Sequence, residues 1–227
     1  MRSLLDLVFP PRCAACRAFL EGHERHLCAT CAASLVELSD PRCPRCALPE
    51  VPGLCPRCRD KAPAFTRVDA AFLHGGAIAD VISRLKYRDT PRLGAVLAEL
   101  CLPMAREAFA WSSLIAPIPL HPHRLRWRGF NQSQLLAEAI ARLLGRRISV
   151  RALSRTRHTP PQVGRSGATR LKNVAGAFAA RGDLVANSRL LLVDDVMTTG
   201  ATAHEASLAA LNAGAREVRV FCVARAM

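Results

Sequence analysis

Eight of the ten cysteines stand in four C-x-x-C pairs near the start of the chain: Cys13/Cys16, Cys28/Cys31, Cys43/Cys46 and Cys55/Cys58. Such a pair turns the backbone in a tight knuckle with both thiolates on one side, and two knuckles supply the four soft sulfurs of a tetrahedral zinc site. Four knuckles therefore predict two Zn²⁺ sites. Eleven residues separate the first two knuckles and eight the last two, spans that a short hairpin covers. That favours pairing in chain order and leaves an interleaved arrangement open. Pro44 and Pro56 follow the first cysteine of their pairs and help to fix the turn, while Arg45 and Arg57 are placed to offset thiolate charge. With four sulfurs at each site there is no vacant position for His23 or His26, which are expected at the surface. The metals are expected to be structural, holding together residues 1–62, a stretch too small to bury a core of its own.

The apolar run from Leu4 to Phe9 is broken by Asp6 and ends at Pro10 and Pro11. It is too short for a secretory signal or a membrane span. No membrane insertion is expected, and cysteines so spaced in a chain of this kind read as reduced metal ligands in the cytoplasm. Cys101 and Cys222 lie in apolar settings and are expected to be small buried hydrophobes.

Beyond Lys61-Ala62-Pro63 the pattern changes, and residues 63–227 are expected to form a second, larger domain. Strand-like runs at Val68–Leu73, Leu114–Ile118, Ile148–Leu153, Leu190–Val193 and Val218–Val223 alternate with helix-like runs. These cover Ala77–Leu85, Arg92–Phe109, Gln132–Leu144 and Ala203–Leu211. In the third of the helical runs Leu135, Leu136, Ala139, Ile140, Leu143 and Leu144 recur at three and four residues, as one helix face requires. Alternation of this kind predicts an α/β domain with a mostly parallel sheet flanked by helices. In such sheets ligands bind at the carboxyl ends of the strands.

One strand end stands out. In Leu190-Leu191-Leu192-Val193-Asp194-Asp195-Val196-Met197-Thr198-Thr199-Gly200-Ala201-Thr202 a buried strand leads to two carboxylates and then to a hydroxyl-rich turn that opens a helix. Backbone N–H groups and hydroxyls from Thr198 to Thr202, with the helix N-terminus behind them, suit one phosphate. Gly200 permits close approach. Asp194 and Asp195 suit a vicinal diol beside that phosphate, and a ribose 5-phosphate carries both groups. No G-x-x-x-x-G-K-[ST] motif occurs, which excludes a nucleotide P-loop.

This segment closely resembles the phosphoribosyl pyrophosphate motif of type I phosphoribosyltransferases. Together with the cysteine-rich start, Arg128-Gly129-Phe130-Asn131-Gln132 and Asn173-Val174-x-Gly176-Ala177-Phe178, it makes the whole chain similar to the ComF family, whose members join a double zinc ribbon to a phosphoribosyltransferase domain. The resemblance implies that Asp194 and Asp195 hold the ribose hydroxyls and that Thr198, Thr199, Gly200, Ala201 and Thr202 enclose the 5-phosphate. It makes Pro117 to Arg124 the pyrophosphate loop, Arg155 to Arg170 a mobile flap, and Lys86-Tyr87 a marked helix end. In catalysis Mg²⁺-pyrophosphate would leave the ribose C1, with Arg124, Arg128 and Lys86 as candidate cations for the developing charge. His121, His123 and His158 are expected at the surface, and Asn131 as a helix cap.

Charge leaves the function open between classes. From Arg124 to Lys172 twelve Arg and Lys face one acid, Glu138, and Arg outnumbers Lys 29 to 3 over the chain. Guanidinium groups suit phosphate, whether on a small ligand or on a nucleic acid. The first reading is a phosphoribosyltransferase with an unassigned acceptor. The second, which the family resemblance implies, is a single-stranded DNA-binding accessory protein of DNA uptake and natural transformation, working with an uptake helicase. A sensor of phosphoribosyl pyrophosphate is the third.

Overall fold

The computed structural model describes residues 10–87, 90–157 and 174–227. Its centre is a four-stranded, all-parallel sheet of β1 (Arg67–Leu73), β2 (Leu114–Pro117), β5 (Arg189–Met197) and β6 (Glu217–Arg225), in the order β1-β6-β5-β2. The two inner strands are apolar nearly throughout because helices or loops cover both faces. Leu190, Leu191, Leu192, Val193, Val220 and Phe221 have no measurable exposure, and each such side chain contributes about 1.5–3 kcal/mol by leaving water.

Helices α3 (Gly76–Tyr87), α4 (Leu93–Trp111) and α6 (Gln132–Leu143) cover one face. Helix α8 (Ala201–Asn212) covers the other, with a two-stranded antiparallel ribbon of β3 (Leu153–Arg155) and β4 (Phe178–Ala180). Successive residues of β5 serve opposite faces, as strand geometry requires: Leu191 and Val193 join the α3–α4–α6 cluster, and Leu190 and Leu192 the α8 cluster.

The four expected helices are present within two residues of the expected ends, and so are four of the five strands, except that β5 runs on to Met197. The expected strand at Ile148–Leu153 is not there. Residues 148–152 contain no strand, and pairing begins at Leu153, antiparallel to β4 and outside the main sheet. Ile148 and Ala152 pack against the two clusters from a loop and Leu153 from β3, while Val150 is exposed. Short helices α5 (Pro122–Arg128) and α7 (Gly182–Val185) complete this part.

The cysteine-rich region is a repeat. Cys13 donates its N–H to Ala18 and Cys43 to Leu48, each at 2.8 Å. The knuckles close through left-handed residues at equivalent places, Arg17 (φ 70°) and Ala47 (φ 53°). Each knuckle is followed by a one-turn helix capped by the next cysteine: α1 (Ala29–Ala33) after Cys28, and α2 (Pro56–Asp60) after Cys55. Between the repeats, residues 36–38 pair antiparallel with the outer edge of β1, through Leu73 N–H to Val36 O (2.8 Å) and Leu38 N–H to Ala71 O (3.0 Å). The chain thereby crosses the sheet edge. The first repeat shares an apolar cluster with α3 and α4, and the second shares the opposite cluster with β5 and α8.

Candidate functional site

Each repeat gathers four cysteines. The sulfurs of Cys13, Cys16, Cys28 and Cys31 lie within 4.8 Å of one another, as do those of Cys43, Cys46, Cys55 and Cys58, so the pairing is in chain order. Four sulfurs about 2.3 Å from a common ion stand about 3.8 Å apart. Cys16–Cys28 at 3.7 Å and Cys46–Cys55 at 3.6 Å fit that geometry. Backbone N–H groups favour a thiolate at one cysteine of each site. Burial raises the pKa of Cys13 and Cys43, yet N–H groups of Cys28, Cys16 and Ala15 at one site, and of Cys55, Cys46 and Arg45 at the other, outweigh it and bring both to about 6. Both clusters fit zinc.

Cys101 and Cys222 are fully buried, and burial pushes both thiols up, so they are the inert hydrophobes expected. His23 is exposed. His26 departs from expectation: it is half-buried, and its Nε2 lies 2.9 Å from the Glu99 carboxylate. That bond and Arg25 hold Glu99 below the usual carboxylate range.

At the carboxyl end of the sheet, Asp194 and Asp195 are the last acidic residues within β5 itself, so the strand extends past the point where the apolar run stops. The sequence offered no sign of this, because the pairing of Asp194 with Cys222 and of Val196 with Ala224 is set by β6. Adjacent on the strand, the two carboxylates interact directly, yet each has its own partner. Asp195 is 4% exposed and ion-paired with Lys86 at the end of α3. Its pKa is lowered: burial opposes ionisation, but the Lys86 charge and hydrogen bonds from Lys86 and Gln132 overcome it. Asp194 accepts from Ser133 Oγ at 2.8 Å and from the Asp195 N–H at 2.9 Å. Burial and the charge of Asp195 raise its pKa to about 7.

The turn follows at once. Gly200, at φ 74°, is left-handed and caps α8, a conformation that a side chain would strain. Thr198 is exposed and Thr199 half-exposed, with Thr199 Oγ1 3.4 Å from the Ala201 N–H. Ala201 and Thr202 belong to the first turn of α8, whose N–H groups have no acceptors within the helix.

The loop after β2 stands on the next strand over. Ile118 donates to Val193 O (2.9 Å), and Asn131 both caps α6, accepting from the Ser133 N–H (3.1 Å), and donates from Nδ2 to Ile118 O (3.0 Å). The loop is shorter than expected, because α5 begins at Pro122 with His121 as its cap and contains Arg124 and Arg128. Proline after an extended residue is a helix-start signal that could have revealed it. Arg128 reaches Gln132 Oε1. Arg155 of β3 faces this region: burial lowers its pKa, the charge of Arg124 lowers it further, and the charge of Asp194 raises it. Most of the expected flap, with His158, falls in residues 158–173, outside the described residues.

The structure thus brings Asp194, Asp195, Lys86, Arg124 and the 198–202 turn to one end of the sheet. Ser133 and Arg225 join them without having been singled out by sequence; Arg57, expected to offset thiolate charge, and Arg155, expected to open the flap, join them as well. Arg57 donates to Thr199 O, and Arg225, 4% exposed at the end of β6, donates to Cys46 O (2.9 Å), Met197 O (3.2 Å) and Thr198 O (2.7 Å). Among the described residues no helix is long and apolar enough to cross a membrane.

Residues 4–59 match the family model of the double zinc ribbon domain. The chain is 33% identical to the DNA utilization protein YhgH of Salmonella typhimurium over 97% of its own length and 100% of that protein's. It is 30% identical to competence protein F of Haemophilus influenzae, covering 95% and 97% respectively. Among solved structures, the glutamine phosphoribosylpyrophosphate amidotransferase of B. subtilis complexed with ADP and GMP is 23% identical, with a TM-score of 0.38 over 63% of this chain and 27% of that one, a likeness too distant to bear on ligand or activity. Near-complete alignment with YhgH and competence protein F, over two four-cysteine clusters and a parallel α/β domain, makes the chain a member of the ComF family.

Proposed function

We propose that the chain binds phosphoribosyl pyrophosphate at the carboxyl end of β5 and transfers its phosphoribosyl group to an acceptor. The observation that carries this reading is the junction of Asp194 with the Gly200 turn: β5 carries Asp194 and ends at Met197, and the left-handed Gly200 then opens α8 with threonines on either side of it. The turn and the start of α8 would take the 5-phosphate. Asp194, oriented by Ser133, would accept from the ribose hydroxyls, and binding a donor diol or a cation would draw its pKa down into the ionised range. Asp195 is committed to Lys86 and would hold Asp194 and the strand end in place. Arg124 and Arg155, close enough for the charge of one to depress the pKa of the other, form a cationic pair suited to pyrophosphate. Mg²⁺ carried by the pyrophosphate would supply further neutralisation of the leaving group, with Asp194 as the nearby carboxylate. The chain's own part is to fix the phosphate at one end and stabilise the charge that develops at the other.

Titration calorimetry with Mg²⁺ and phosphoribosyl pyrophosphate tests this. The wild-type chain is expected to bind, and Asp194→Asn to weaken binding at least about tenfold, the effect of removing a charge-assisted hydrogen bond, with a thermal melt confirming the fold. Absence of wild-type binding, or unchanged affinity in Asp194→Asn, rejects the reading. Release of pyrophosphate with bases or single-stranded DNA then identifies the acceptor.

A second reading, contact with single-stranded DNA, is favoured by a different feature. A cleft of about 780 Å³ between the first cysteine repeat and α3–α4 is lined by Arg12, Arg17, Arg25, His26, Arg84 and Arg92. The relatives' names, DNA utilization and competence protein, accord with it. Backbone neutralisation by several of these arginines predicts an affinity that falls linearly in log[salt], with a slope of about −0.7 per phosphate contacted. Binding insensitive to salt counts against this reading.

A further inference from the structure

Resting on the phosphate-site reading above, we infer that the second cysteine cluster anchors the phosphate turn, with Arg225 and Arg57 as its positioning residues, so that metal at Cys43, Cys46, Cys55 and Cys58 and ligand at 198–202 stabilise each other. The two arginines engage different halves of the cluster, Arg225 from the end of β6 and Arg57 from within the second knuckle. Arg225 reaches back to the carbonyl of Cys46, in the first knuckle, and forward to the carbonyls of Met197 and Thr198. Arg57 lies between Cys55 and Cys58, in the second knuckle, and donates to the carbonyl of Thr199. Three consecutive carbonyls, 197 to 199, are therefore held by two side chains that touch both knuckles of the cluster, and a shared ion would keep those knuckles in register. Occupying these carbonyls sets which way the intervening peptide N–H groups point, and those groups are what a phosphate would meet.

Packing joins the cluster to the end of β5, with Cys43, Cys46, Cys55 and Cys58 in one apolar cluster with Phe65 and Met197, but it does not occupy the carbonyls of the turn. A cavity of about 280 Å³, lined by Cys46, Leu48, Phe65, Met197, His204 and Met227, separates the cluster from the turn. The guanidinium groups bridge it at the edge. A planar fork with five donors satisfies several carbonyls at once, which an ammonium on a flexible stem does not. The first cluster has no such link to the turn among its described contacts: Arg84 of α3 donates to the carbonyls of Cys13 and Ala14, and Ser34 Oγ accepts from Ala77 N–H.

Coupling of this kind is reciprocal, which gives the experiment two directions. In the wild-type full-length protein, saturating phosphoribosyl pyrophosphate with Mg²⁺ should slow the loss of one of two zinc ions to a colorimetric chelator. Arg57→Ala, at an exposed position, should weaken ligand binding roughly 2- to 10-fold, the range for one hydrogen bond, and should remove most of that protection. Amide exchange at 198–201 without ligand should rise in the same variant by a similar factor. Arg225→Lys should do more on all three counts, and the exposed Arg57 variant keeps the test valid if the buried one misfolds. Wild-type binding with unchanged affinity, zinc release and exchange in Arg57→Ala overturns the inference. If the wild-type chain binds no ligand, the phosphate-site reading fails on its own, and the exchange measurement still decides whether the cluster orders the turn.

Discussion

Asp194 and Asp195 are the same residue at consecutive positions of one strand, and the fold gives them opposite chemistry. Asp195 is nearly inaccessible yet ionised, because Lys86 comes to it from the end of α3. Asp194 is more exposed, keeps its proton up to a pH of about 7, and faces Ser133 and the field of Arg155. The contrast separates a fixed charge that organises the strand end from an adjustable one suited to a ligand. A protein that needed only a stable strand end would not retain Asp194 beside a buried anion, since like charges this close resist joint ionisation.

The hardest way to break the comparison is to remove the partner that distinguishes the two. Lys86→Met leaves Asp195 as a buried anion without compensation, and losing one member of a buried pair costs about 3–5 kcal/mol. The Lys86–Asp195 pair is 24% and 5% exposed at the two side chains, so the lower end of that range is expected, read as a shift in the denaturant midpoint. Adding Asp195→Asn to Lys86→Met should recover part of the loss, because the uncompensated charge is then gone. In Lys86→Met alone, Asp195 should resist ionisation and Asp194 should ionise more readily, reversing their order. A double variant no more stable than Lys86→Met would mean that the pair is incidental.

A milder test uses pH. For Asp194 the folded pKa of about 7 lies above the ordinary value of 3.8. The folded chain thus binds the proton more tightly than the unfolded chain. The associated stability is fully present below about pH 3.8 and is lost as pH rises through about 7. Asp195, with its pKa lowered, behaves the opposite way: its contribution is present above its ordinary value and is lost only as pH falls below it. Between pH 4 and 7 the difference between wild type and Asp194→Asn therefore isolates Asp194. The variant should be the more stable of the two at pH 8, by an amount on the order of 1–2 kcal/mol, even though it loses ligand affinity. A site residue that costs stability in the empty protein is the usual signature of a binding role. Parallel stability curves for the two proteins across that window would remove the distinction between the acids.

Much of this arrangement was legible in the sequence, and what was not has a common cause. The C-x-x-C pairs showed both clusters because ligand spacing is local. The Leu190 to Thr202 segment showed the strand, the acids and the turn because each is encoded within a few residues. Ser133 and Arg225 were invisible because nothing in their own neighbourhoods marks them, and Arg57 and Arg155 were visible only in other roles, as a counter-charge to thiolates and as the start of the flap. Arg225 sits 179 positions from the carbonyl it binds in the second cluster, and Arg57 lies 142 from Thr199. In a chain with 29 arginines, one that braces a turn reads like one that faces water. The misplaced strand at Ile148–Leu153 has a related origin: Ala152 and Leu153 are buried but Val150 is exposed, and whether such a run joins a sheet depends on a partner strand elsewhere in the chain.

The smallest effect gives the finest resolution of the contrast between the acids. Ser133 donates to Asp194 alone of the two, and that bond favours the ionised form. Ser133→Ala should therefore raise the pKa of Asp194 above about 7, by roughly 0.5–1 unit as expected for one hydrogen bond, and leave Asp195 where it is. Carboxyl carbon chemical shifts followed by NMR across pH 4–9 resolve the two acids separately. Because Asn131 still caps α6 through its bond from the Ser133 backbone N–H, the substitution should leave the helix intact. A shift shared equally by both carboxyls would show that the pair titrates as one unit, and the division between a fixed acid and an adjustable one would have to be abandoned.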